Sequence, residues 1–148
     1  MNLLQPQLSR LADRCRLLVT SAFGAETTGV AVAAAADLRV QVRVLNPAGG
    51  TFHPKLYLTR RAASAVAVVG SANLASGLVA NIETALVVAG RAGDQAIADC
   101  WRYAESLWAH PAAIDWREVA FPAAEEQFGP ALLGMLRAAV PVLSWWPR

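Results

Sequence analysis

At 148 residues the chain has the length of one domain, large enough to bury a core without disulfide or metal staples. A net charge of +2 is too small to argue for nucleic acid by itself. Apolar residues make up 55% of the chain and charged ones only 16%, yet no apolar run reaches the roughly 18 to 20 residues of a membrane-spanning helix. The first residues, Met1-Asn2-Leu3-Leu4-Gln5-Pro6, lack the basic-then-apolar order of a secretory signal, so a cytoplasmic location is expected. So apolar a composition is explained if part of the surface packs against another chain.

In chain order, Leu4, Leu8, Leu11 and Cys15 have helical spacing, which predicts an amphipathic helix over residues 3–16. Leu17 to Phe23 reads as a short strand, Gly24 to Gly29 as a polar turn, and Val30 to Leu38 as an alanine-rich helix. Arg39-Val40-Gln41-Val42-Arg43-Val44 alternates with the period of a strand that has one wet face. Asn46 to Gly50, with one proline and two glycines, is a loop. Phe52 to Thr59 is expected as a strand with His53, Lys55 and Tyr57 on one face, and Arg60 to Ser64 as the turn after it. Ala65 to Val69 is an apolar strand ending at Gly70-Ser71, and Leu74 to Val79 a short helical or irregular piece. Glu83 to Val88 is the next strand, closed by Gly90 to Gly93. Asp94 caps a helix to about Ala109, burying Ile97, Cys100, Trp101, Ala104 and Trp108. This order predicts an α/β fold with a mixed β-sheet flanked by helices. Residues 1–110 form the main body. Residues 111–148, rich in Pro and Trp, are an extension packed on that body or on a dimer interface, with one helix over Pro130 to Ala139. Cys15 and Cys100, far apart in the chain, are expected as free thiols.

The polar residues concentrate in one stretch. His53 and Lys55 stand two apart, so extended backbone puts both side chains on one face. A buried cation beside an imidazole calls for an anion, and a lysine ammonium is a compact point charge suited to a phosphoryl oxygen. Gly70-Ser71-Ala72-Asn73 follows an apolar strand, where α/β sheets bind ligands; its glycine permits a tight turn, and the Ser71 hydroxyl and Asn73 amide offer donors. Glu83 is the carboxylate expected to orient His53 and raise its basicity. Taken singly, each residue has an ordinary structural explanation: a satisfied histidine, a common Gly-Ser turn, a solvated edge carboxylate.

Together, His53-x-Lys55, Gly70-Ser71-x-Asn73 and Asn81-x-Glu83 resemble the motif of the phospholipase D superfamily, most closely its small single-motif nucleases and the nuclease domains of restriction enzymes. The resemblance covers Leu17 to about Ala109 and includes Val19-Thr20-Ser21-Ala22-Phe23. It implies a phospholipase D-like α-β-α sandwich, with residues 1–110 as its catalytic domain. One departure stands out: the family has an aspartate five residues after the lysine, where this chain has Arg60.

The resemblance further implies a metal-independent phosphodiesterase that uses no cofactor. One histidine attacks phosphorus to form a phosphohistidine and a second protonates the leaving oxygen, with His53, Lys55, Ser71, Asn73 and Glu83 as catalytic residues. That mechanism needs two histidines and two lysines of this kind, and the chain carries one set, so a homodimer is expected to supply the second. Gly70, Asn81, Arg60 and Arg61 are the expected substrate contacts, with Arg39 and Arg43 nearby to track a nucleic-acid backbone. Nuclease activity on DNA ahead of RNA, in restriction or defence, is the leading expectation. A non-catalytic subunit that binds nucleic acid or a partner is the alternative, and a lipid phosphodiesterase stands behind both.

Overall fold

A computed structural model describes residues 5–22, 27–71 and 83–121. The expected helix at 130–139, the piece at 74–79, Phe23, and the C-terminal extension beyond residue 121 lie outside them. The chain is α/β. From the sequence one mixed sheet is expected; among the described residues the strands divide into two sheets of three, and only the first is mixed.

The first sheet is built on a βαβ unit. Helix α1 (Gln5–Leu11) ends five residues earlier than its periodicity suggests, and a 3-10 turn over Ala12–Arg14, with Ala12 at φ 45°, turns the chain into β1 (Arg16–Val19). Thr28 opens α2 (Gly29–Asp37), its hydroxyl accepting from the Ala31 amide at 3.2 Å. The end of α2 is a Schellman turn: Arg39 N–H donates to Ala36 O at 2.7 Å and Val40 N–H to Ala35 O at 3.3 Å. Arg39 takes the left-handed position there, at φ 63°, so it cannot begin the strand, and β2 runs from Gln41 to Leu45.

β1 lies parallel to β2, and β6 (Ala113–Asp115) pairs antiparallel on the other side of β2. β6 and the 3-10 turn Trp116–Glu118 that follows were not anticipated from the sequence. Val32, Ala35, Val40 and Val42 form the buried cluster, with Leu17, Val19, Trp116 and Phe121 packed against it. Cys15 and Cys100 are both free and partly buried.

The second sheet is an antiparallel meander, β3 (Leu56–Arg61), β4 (Ser64–Gly70) and β5 (Ala85–Arg91). Three boundaries differ from expectation. β3 starts after Pro54, which has no N–H to give a ladder, and not at Phe52. The hairpin turn is only Ala62-Ala63, with Ala62 at φ 52°, so Arg60 and Arg61 are strand residues. β5 likewise runs through Gly90 to Arg91. A Cβ on Gly90 would stand 2.3 Å from Asp94 Oδ2, the atom that accepts from Arg91 N–H at 2.8 Å.

Helix α3 (Gln95–Trp108) then packs on the sheet face that carries Ala65 and Ala67. Ile97 is fully buried there, while Cys100, Trp101, Ala104 and Trp108 are half-buried, as the amphipathic spacing predicts. Asp94 stands at its N-cap but gives its carboxylate to Arg91 and not to the helix. The far end of α3 reaches the first sheet. Arg16 donates to both Glu105 oxygens at 2.9 Å, Arg43 donates to Trp108 O at 2.6 Å, and both guanidinium groups lie 5.4 Å from the Trp108 ring centroid. One helix therefore ties the two sheets together.

Candidate functional site

The register of the second sheet sets the site. Pairing of Leu56 with Val69 brings Lys55 opposite Gly70, and Gly70 in turn opposite Ala85. Gly70 N–H donates to Lys55 O at 3.1 Å, so the strands stay zipped up to the lysine. One step further, Ser71 N–H donates to Thr84 O at 3.0 Å and Thr84 N–H returns a bond to Ser71 Oγ at 3.2 Å. Gly70 has no room for a side chain: a Cβ would stand 2.5 Å from Thr84 O and 2.8 Å from Ala85 Cβ. Close approach of backbones, and no unusual dihedral, is what demands glycine here.

His53, Lys55, Ser71 and Glu83 are thus gathered at one end of three strands. Lys55 is 8% exposed, and its Nζ is hydrogen-bonded to His53 Nε2, while the His53 ring itself is exposed. An ammonium has donors only, so the imidazole presents a lone pair at Nε2 and carries its proton on Nδ1. The Ser71 hydroxyl donates to Glu83 Oε2 at 2.5 Å. Glu83, expected to orient His53, makes its hydrogen bond among the described residues with Ser71. Asn73 and Asn81 lie outside the described residues.

The arginines expected beside the motif are elsewhere. Arg60 and Arg61 fall at the opposite end of β3, roughly 16 Å from Lys55 along an extended strand. Arg60 stacks over the Trp101 ring at 5.4 Å, and Arg61 sits in the row of Ser64 and Arg91. Arg43 is engaged by Trp108 and Arg39 by the end of α2. Arg39 thus stands in the turn after α2, Arg43 in the middle of β2, and Arg60 and Arg61 at the end of β3 in the other sheet.

Two features went unread in the sequence. Lys55 is the only lysine of the chain, every other residue of the Lys/Arg pair being arginine. A protein that places its one compact, strongly hydrated cation in a buried position beside a histidine marks that position, and the count alone would have shown it. The second is a polar clasp at the C-terminal ends of β1 and β2. Buried Thr20 donates its hydroxyl to Asn46 Oδ1 at 2.8 Å, Ser21 N–H donates to the same oxygen at 3.1 Å, and Asn46 Nδ2 donates to Ser21 Oγ at 2.7 Å. The loop carrying His53 is therefore pinned at both ends, by Asn46 and by the Lys55–Gly70 bond.

Among the described residues no carboxylate is paired with Lys55: the ion pairs are Arg16–Glu105, Arg102–Asp99 and Arg117–Asp115, all on the surface. The other histidine, His110, follows α3 and accepts from Ala112 N–H at Nδ1, 3.1 Å. Among the described residues no three His, Cys, Asp or Glu side chains are grouped to hold a metal ion, and no helix is long and apolar enough to cross a membrane. No protein-family model matches the chain, and no match was found among curated proteins.

Proposed function

We propose that this protein is a phospholipase D-like phosphodiesterase that cleaves nucleic acid, DNA ahead of RNA, without a metal ion. The observation that carries the reading is the single lysine, buried against the His53 imidazole with no carboxylate paired to it among the described residues. A buried cation left without an anion costs several kcal/mol, roughly, and a phosphodiester supplies the missing charge. Gly70, the last residue of β4, and Ser71 border the same place, offering a close backbone approach and a hydroxyl.

The chemistry follows from the Nδ1–H tautomer. The Nε2 lone pair of His53 attacks phosphorus; an N–P bond forms as the bond to the leaving oxygen breaks, and Lys55 balances charge on the non-bridging oxygens. The leaving oxygen takes a proton from His53 of a second copy, which acts as the acid after taking up a proton from solvent on its Nε2 and so enters the step as an imidazolium. That histidine then takes a proton from water, whose oxygen attacks phosphorus and breaks the N–P bond. His110 is held on the Ala112 amide, so a symmetric dimer is the economical source of the second histidine and lysine. A role in restriction or defence belongs to this proposal.

A second reading, binding without cleavage, is favoured by one observation: Nε2 is already engaged by Lys55. Arg60 does not add to it, because that side chain is used in packing against Trp101 at the other end of β3.

Cleavage of plasmid, single-stranded DNA and RNA in EDTA, by the wild type and by His53→Ala, tests the proposal. Wild-type cleavage that falls by at least about 10³-fold in the variant is expected. Intact nucleic acid that remains bound would favour the binding module, and hydrolysis of phosphatidylcholine alone the lipid enzyme. A strictly monomeric mass in solution would remove the shared site.

A further inference from the structure

The groups expected to act on phosphate are occupied by one another. Lys55 Nζ donates into the Nε2 lone pair of His53. That electron pair cannot both accept an ammonium hydrogen and attack phosphorus. The Ser71 hydroxyl hydrogen is likewise committed, to Glu83 Oε2 at 2.5 Å, while its oxygen accepts from Thr84 N–H. Glu83 gains an oriented donor from this, and Lys55 gains less, because a neutral nitrogen brings no charge to offset its own and no described carboxylate is paired with it. The ammonium makes both bonds charge-assisted, but only a phosphoryl oxygen brings the negative charge that offsets a buried cation. A phosphoryl oxygen is therefore the better partner for Lys55, and an imidazole nitrogen the weaker one it would give up.

We infer that the ligand-free site is closed on itself and that a tetrahedral phosphoryl anion opens it, by drawing Lys55 from His53 Nε2 onto its own oxygen. The inference rests on the phosphodiester reading above and adds an order of events to it. The nucleophile is released by the group it is to attack, so the lone pair is covered whenever no phosphorus is present. Lys55 then has two positions: on Nε2 in the free protein, and on a non-bridging oxygen in the complex. The Gly70 N–H holds the Lys55 carbonyl in place, so the exchange takes rotation of the lysine side chain.

The composition makes the test direct. With one lysine and two histidines in the chain, protein labelled with ¹⁵N in lysine and histidine gives one side-chain ammonium and two imidazoles. Inorganic phosphate is the probe, its own binding followed by ³¹P line width. In the free wild type, His53 is expected as the Nδ1–H tautomer with a hydrogen-bonded Nε2. Added phosphate should move Lys55 Nζ and shift His53 Nε2 downfield, towards a bare pyridine-type nitrogen, on one saturation curve that matches the ³¹P midpoint. His110 is the internal reference and should stay still. In Lys55→Met the His53 Nε2 signal should begin at the downfield position and no longer respond. The wild-type titration decides the matter alone if that variant does not fold. Phosphate that binds while His53 Nε2 stays fixed overturns the exchange and leaves the phosphate site standing. No phosphate binding at all overturns both.

Discussion

The two sheets are stabilised by different means. In the first, the central strand β2 buries Val42, Val44 and Leu45, and α2 covers it with Val32 and Ala35. In the second, the central strand β4 buries only Ala65 and Ala67, and β5 leaves Leu86 65% and Val87 60% exposed. The first is held by side-chain volume. The second is held by an unbroken ladder from Arg61–Ser64 to Lys55–Gly70, braced on one face by α3. The candidate site belongs to the second, at the last rungs of that ladder. Its geometry therefore depends on backbone register more than on core packing, and core and site are separable by mutation.

Gly70→Ala should be the most damaging change in the second sheet. The new methyl meets Thr84 O and the Ala85 backbone, neither of which is the free end of a flexible side chain. Overpacking of this kind costs about 3 kcal/mol, measured by urea unfolding. Phosphate binding should fall further than stability does, because β4 and β5 must part where Ser71 meets Thr84.

Val44→Ala probes the other sheet. Val44 is completely buried, so its truncation should cost about 2 kcal/mol in the same measurement. Phosphate affinity of the remaining folded protein should be unchanged. If affinity fell with stability here too, the separation of core from site would fail.

How much of this was legible in the sequence follows the same division. Helix α3 was readable because Ile97, Trp101, Ala104 and Trp108 recur at helical spacing, and β4 because it is apolar throughout. His53, Lys55, Gly70 and Ser71 were readable as a group through the motif they resemble, and the β3–β4 register brings them to one end of the sheet. The β3–β4 turn was not, since Ala62-Ala63 has none of the Gly, Asn or Pro that signal a hairpin, while the charged Arg60-Arg61 imitated one. That error carried the two arginines to the wrong end of the sheet. Nor could the order of residues tell that Glu83 would meet Ser71, since Ser71, Thr84 and Glu83 come together only through the β4–β5 register. β6 was hidden by its length of three residues, too short for any period to show.

A smaller effect is expected from pH. Cys15 packs against the first-sheet cluster, and burial raises its thiol above the ordinary value. The folded state thus holds the proton more tightly than the unfolded chain does. Its contribution to stability is complete below the unfolded thiol's pKa, about 8.5, and is lost as pH rises through the folded value. Urea midpoints measured from pH 7 upward should show a shallow decline that Cys15→Ala abolishes, and alkylation of Cys15 should be slower in the folded protein.

The smallest expected effect is the sharpest check on the open half of the comparison. Leu86 pairs with Val69 across β4 and β5, and both side chains are exposed beyond the reach of α3. Truncating a solvent-facing leucine removes little buried area, so Leu86→Ala should change the unfolding free energy by no more than about 0.5 kcal/mol. That value should not depend on protein concentration. A loss near 2 kcal/mol that diminished on dilution would mean that in solution this strand is covered by another chain. The second sheet would then owe its stability to side-chain volume after all, contributed from outside the chain.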